Sequence, residues 1–158
     1  MSILGSSPSR DVEKRTTWVL SSHPAIGQVE GVSVCVERVE LTAERVWLHA
    51  RAVSNTVTEE LTADYWTASR AWREVVGHRG WDAAGEPPAE PGLMLQQVDV
   101  MLSDAKSRPV PGRTVSVGGT GTEWVISWSW PFQAGDELAF LASSPDGRST
   151  TLCVDIRR

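Results

Sequence analysis

The sequence predicts a mainly β protein, an antiparallel immunoglobulin-like β-sandwich of seven or eight strands with one inserted α-helix over residues 58–76. Three observations lead there. The stretch Glu123-Trp124-Val125-Ile126-Ser127-Trp128-Ser129-Trp130-Pro131 sends Trp124, Ile126, Trp128 and Trp130 to one face of a strand and Val125, Ser127 and Ser129 to the other. Two earlier runs, Val32 to Leu41 and Val46 to Val53, alternate in the same way around the short polar connection Thr42-Ala43-Glu44-Arg45, the pattern of an antiparallel hairpin. Between Thr58 and Val76 the period changes: Leu61, Tyr65, Ala68, Trp72 and Val75 recur at three and four residues, the stripe of a helix.

In chain order, residues 1–15 are small and polar and are expected to form a disordered tail ahead of a single domain over 16–158. Order begins near Trp18-Val19-Leu20, and Ser22 to Gly31 carries turn residues. In the first hairpin strand the apolar parity moves from Val32, Val34 and Val36 to Val39 and Leu41, which predicts a bulge near Glu37. Val46, Leu48, Ala50 and Ala52 share one side of the second strand. Thr58 is the expected N-cap of the helix, Glu59 and Glu60 suit the positive end of its dipole, and Gly77 is the expected stop. Trp66 falls off the apolar stripe. The run from Gly77 to Gly92 mixes glycines and prolines without a period, so it reads as a long loop with Trp81 inside it. Leu93 to Leu102 reads as a strand and Asp104 to Gly112 as a turn-rich connection. Thr114 to Val117 is a short strand, Gly118 to Gly121 a flexible link, and the tryptophan strand follows. Leu138, Phe140 and Ala142 alternate in the next strand. After the turn Pro145-Asp146-Gly147-Arg148, so do Leu152, Val154 and Ile156.

The tryptophan face is expected to be core, because Ile126 continues it, the serines provide a wet opposite face, and neighbouring strands offer matching apolar sides. The expected core residues are Trp124, Ile126, Trp128, Leu138, Phe140 and Val154. Each buried indole needs a partner for its N–H, which places one tryptophan at the edge of the core.

Several function classes are excluded by composition. A net charge of -5 and a pI near 5.2, with arginines scattered among acids, leave no basic stripe for nucleic acid. No run approaches a membrane span, and the first residues lack the charged front and apolar stretch of a secretory signal, so the chain is expected in the cytoplasm. Cys35 and Cys153 are too far apart in sequence for a local metal motif and are expected as free thiols. His23, His49 and His78 show no metal spacing and read as surface residues. There is no nucleophile elbow, and Gly118-Gly119-Thr120-Gly121 lacks the Gly-Lys-Ser/Thr of a phosphate loop. No catalytic residue, metal ligand or cofactor is assigned.

The last forty residues resemble an uncharacterised actinobacterial β-sandwich family. The features shared with it are the glycine-rich link at Gly118 to Gly121, Trp124, the segment Trp128-Ser129-Trp130-Pro131, the spacer Ala134-Gly135, Leu138-Ala139-Phe140 and Val154-Asp155. The hairpin from Val32 to Val53 is similar to the family's early strands as well. The resemblance implies the fold and no activity. The helix and the loop to Gly92 depart from the family's pattern, and an insertion on a fixed scaffold is where a specific role is added at little cost to folding. The expected function is therefore a non-enzymatic interaction module that binds a protein partner through Trp66 and Trp81. The alternative is an enzyme or small-ligand binder with a pocket between helix and sheet.

Overall fold

The computed structural model describes residues 14–104, 106–131 and 135–157, so the expectation of a disordered tail falls almost wholly outside the described residues. Ten strands are formed among the described residues, in two antiparallel sheets. They are β1 (Thr16–Val19), β2 (Ala25–Val29), β3 (Val32–Leu41), β4 (Arg45–Ala52), β5 (Asp99–Ser103), β6 (Pro109–Pro111), β7 (Arg113–Gly118), β8 (Val125–Pro131), β9 (Glu137–Ser143) and β10 (Ser149–Asp155). Two segments account for the excess over the expected count. The turn-rich residues around Pro24 hide β2, and β6 is only three residues between prolines.

The larger sheet runs β1-β3-β4-β8-β7, and β2 also pairs with β3. β1 lies along Arg38 to Leu41 and β2 along Val32 to Cys35, so the two form one interrupted edge strand. The expected bulge is present, as the β3–β4 register shifts between Val36 and Arg38. It keeps Val32, Val34, Val36, Val39 and Leu41 all buried despite their change of parity. The smaller sheet runs β10-β9-β5-β6.

The sheets face each other across one core. Trp124, Ile126, Trp128 and Trp130 are buried there with Val46, Leu48 and Ala50 of β4 and with Leu138, Phe140 and Val154 of the other sheet. Trp130 meets Phe140 across the gap at a ring separation of 5.3 Å. Its Nε1 donates to the Val110 carbonyl at 2.8 Å, in the short edge strand β6. Trp124 Nε1, by contrast, is buried with no partner among the described residues.

The helix differs at both ends from its sequence reading. α1 spans Thr56–Arg79, and its N-cap is Asn55, whose side chain accepts from the Thr58 N–H while Thr58 Oγ1 accepts from the Asn55 N–H. Thr58 is thus the third helical residue of a capping box rather than the cap itself. Gly77 does not stop the helix, because an interior glycine costs only about 1 kcal/mol. The stop is Gly80, whose φ of 82° a side chain resists. The following residues are not a plain loop: Trp81–Ala84 make a single helical turn, α2, and Pro91–Gln97 a 3-10 helix. Pro91 opens the latter with its fixed φ, which is why the strand expected from Leu93 starts only at Asp99. The 3-10 helix is pinned to the glycine link, where the Gly92 N–H donates to Gly119 O at 3.0 Å and the Gly119 N–H to Glu90 Oε2 at 3.0 Å.

Candidate functional site

Two regions gather functional side chains: the outer face of the larger sheet and the flanks of α1. On the sheet, strand alternation turns Glu40, His49 and Ser127 outward on three neighbouring strands, and the register sets His49 directly opposite Ser127. His49 Nδ1 lies 2.7 Å from Ser127 Oγ, and His49 Nε2 stands 3.5 Å from Glu40 Oε1 without hydrogen-bond geometry. Arginines knit the row together. Arg38 pairs with Glu40 at 3.1 Å and Glu37 at 3.7 Å, Arg51 with Glu37 at 3.1 Å, and Arg15 with Glu40 at 3.5 Å.

This corrects two expectations. Ser127 and Ser129 are not on a wet face, being 7% and 2% exposed. Ser127 is held by His49, and Ser129 accepts from Arg45 Nη2 at 2.6 Å. His49 is not a plain surface histidine. Burial and the Arg38 charge hold its pKa below the usual histidine value, against an upward pull from Glu40. Burial pushes the Glu40 carboxyl up, but the Arg38 hydrogen bond and the charges of His49, Arg38 and Arg15 outweigh it and leave the group below the usual carboxylate range. Around neutral pH the row therefore joins an ionised Glu40, a neutral His49 and the Ser127 hydroxyl.

The residue types suggest a nucleophile with its base, but the surroundings do not supply the rest. Ser127 is mid-strand in β8, which is paired on both sides, so its backbone is engaged in ladders rather than offered as a cradle for an oxyanion. We read the row as a polar lattice that seals the outer face. Alternation on each strand places the three residues off the buried parity, which is visible in sequence; the register that makes them neighbours is not.

The second region holds the two sequence-selected tryptophans. Only Thr58 and Ser69 of the 24 residues of α1 are buried, so most of the helix surface meets solvent. Trp66 is 43% exposed and packs edge-on against Tyr65, with ring centroids 5.2 Å apart. Trp81 is 67% exposed and packs edge-on against Trp72 at 5.0 Å, and Trp72 Nε1 donates to the Gly85 carbonyl at 3.1 Å. Trp72 follows Trp66 by six residues, which is about 120° around the helix and roughly 9 Å along it. The two exposed indoles therefore occupy different flanks of one helix.

Beside Trp66 lies a groove of about 300 Å³ between α1 and the glycine link, lined by Glu59, Thr62, Ala63, Trp66, Gly121 and Thr122 among others. Ser54 Oγ donates to the Thr122 carbonyl at 3.0 Å and Thr62 Oγ1 to the Gly121 carbonyl at 3.4 Å, which ties the far wall to the helix. Another groove, of about 600 Å³, separates Leu61 from Glu90 and Met94 of the following segment. Among the described residues no group of three or more His, Cys, Asp or Glu side chains is placed to hold a metal ion, and both cysteines are free. No helix among them is long and apolar enough to cross a membrane.

No protein-family model matches the chain, and no curated protein matches it in sequence. Among solved structures it is similar to a conserved domain protein from Bacillus anthracis, with a TM-score of 0.47 and 8% sequence identity over 92% of this chain and 50% of that one. The chain thus spans about half the length of that structure.

Proposed function

We propose that the chain is a cytoplasmic, non-enzymatic interaction module that binds a protein partner along α1 and α2, with Trp66 and Trp81 as its anchors. The observation that carries this reading is a 24-residue helix with two buried residues that nevertheless bears Tyr65, Trp66 and Trp72 and meets Trp81 from the next turn. Burial in the core is the usual reason for a chain to spend tryptophan, and here that reason is weak. Exposed indoles held in place by a second aromatic ring are the kind of group that dominates protein interfaces. The description of the scaffold as immunoglobulin-like, and its kinship with the actinobacterial family whose C-terminal pattern it resembles, belong to the same reading.

The alternative of a small ligand between helix and sheet has the Trp66 groove in its favour, at the low end of the size range of ligand pockets. Among the described residues Glu59 is the one ionisable group lining that groove, so no acid–base pair of those residues faces a ligand there. That absence favours binding over reaction.

The test is site-specific photo-cross-linking in the native host from Thr67 and Arg70, both exposed on α1. A single recovered protein, lost in the Trp66→Ala/Trp81→Ala variant while its melting temperature stays within a few degrees, supports the proposal. Cross-linking that is absent, or unchanged in the variant, removes it.

A further inference from the structure

The Trp66 groove joins three different chemistries in line along one flank of α1. Glu59, Ala63 and Trp66 are spaced four and three residues apart, so they stack on one side of the helix over about two turns. All three line the groove, Ala63 with only a methyl group, and the Trp66 indole packs edge-on against Tyr65. The opposite wall is the Gly121-Thr122 backbone, tied to the helix by Ser54 and Thr62. Among the described residues no positive charge lines the groove, and the neighbouring helix positions Glu60 and Asp64 are acidic too.

We infer that this groove receives a basic side chain, arginine or lysine, from a segment of the protein partner. An arginine or lysine side chain is apolar along its stem and charged at its tip. Laid over Ala63 and against the indole, the stem replaces water on an apolar surface, while the tip meets the Glu59 carboxylate and the face of Trp66. A purely apolar side chain leaves Glu59 desolvated without a partner, and an acidic one meets like charge. The groove therefore discriminates among side chains by charge complementarity and by length. The inference rests on the interaction-module reading and specifies the chemistry of the partner at one of its two anchors.

The probe is a short glycine-flanked arginine peptide with blocked ends, titrated into the full chain and followed by backbone amide NMR. A peptide with citrulline in place of arginine, equal in shape but neutral, is the control. Arginine is expected to bind in the millimolar range, to shift the amides of Ala63, Gly121 and Thr122, and to bind roughly fivefold to tenfold tighter than citrulline, the combined worth of a partly exposed ion pair and a cation–π contact. Glu59→Gln should reduce arginine to the citrulline level. Ala63→Leu, which adds bulk to an exposed helix position and removes no native contact, should abolish both. Equal binding of the two peptides, no shift at those amides, or full binding by Ala63→Leu overturns the inference. If the inference fails while cross-linking from Thr67 and Arg70 still depends on Trp66 and Trp81, the interaction module stands and only the chemistry of its partner is wrong.

Discussion

Trp124 and Trp130 allow the account of the core to be tested by one substitution made twice. Replacing either with phenylalanine removes an indole N–H and roughly 40 Å³ of side chain, and at about 24 cal/mol per Å³ the cavity alone costs about 1 kcal/mol. What differs is the hydrogen bond. Trp130 Nε1 donates to Val110 O at 2.8 Å, and its ring meets Phe140, so Trp130→Phe loses a buried bond worth a further 1 to 2 kcal/mol or so. Trp124 Nε1 is buried without a partner among the described residues, so Trp124→Phe removes a desolvation penalty of about 1 to 3 kcal/mol that offsets the cavity. The expected effects are therefore a cost of about 2 to 3 kcal/mol for Trp130→Phe and, for Trp124→Phe, anything from about zero to a gain of about 2 kcal/mol. At ~2–4 °C per kcal/mol for a domain of this size, a difference of about 2 to 5 kcal/mol should separate the two melting temperatures by roughly 4 to 20 °C, with Trp130→Phe the lower. Urea denaturation followed by fluorescence gives the free energies, and calorimetry the midpoints. Equal costs, or a larger cost at Trp124, would refute the assignment of the hydrogen bond.

Trp128→Ala, a truncation on the same buried face, should lower stability by about 3 to 5 kcal/mol in the same urea experiment. A near-wild-type value would return the tryptophan face to solvent. Gly119→Ala should cost several kcal/mol, because φ there is 135° and a Cβ would stand 2.3 Å from the Glu123 carbonyl oxygen, whereas Gly121→Ala, with open space around it, should be close to neutral. His49 is held below its unfolded pKa, so the unfolded chain binds more protons than the folded one below about pH 6.5, and stability falls as the pH drops through that value toward the folded pKa. A His49→Asn variant should show a shallower loss over that window, and an unchanged slope would assign the titration elsewhere. Thiol titration of protein purified without reductant should find two free cysteines, with exposed Cys153 reacting before half-buried Cys35.

How much of this was legible in sequence differs by element. Alternation alone identifies the buried sides of β3, β4 and β8, since a period of two is imposed by the pleat, and even the β3 bulge is written in the shift from Val36 to Val39. The missed strands share a cause. β2 and β6 hold their places through pairing with a neighbour, not through their own pattern, and prolines at Pro24, Pro109 and Pro111 mask them. The helix end was misplaced because an interior glycine is tolerated where the surrounding turns continue; only the positive φ at Gly80 ends it, and φ is not visible in a residue name.

The site was half legible. Trp66 stands out because it leaves the apolar stripe, and Trp81 because it sits among glycines and prolines. The contact between Trp72 and Trp81 requires α2 to fold back onto α1, which no local pattern announces. Likewise, the serines of β8 look solvent-facing by parity. Their burial comes from side chains one strand away, Arg45 and His49, brought beside them by register. Parity decides which side of a sheet a residue takes, and the cross-strand partner decides whether that side is dry.

The central claim, that α1 and its following turn form the binding surface, is tested most directly by comparing photo-cross-linking from Thr67 and Arg70 with that from Thr151 on the exposed side of β10. One partner should be captured from both helix positions and none from Thr151, and capture should be lost in Trp66→Ala/Trp81→Ala at an unchanged fold. Capture from Thr151 that survives the double substitution would contradict it.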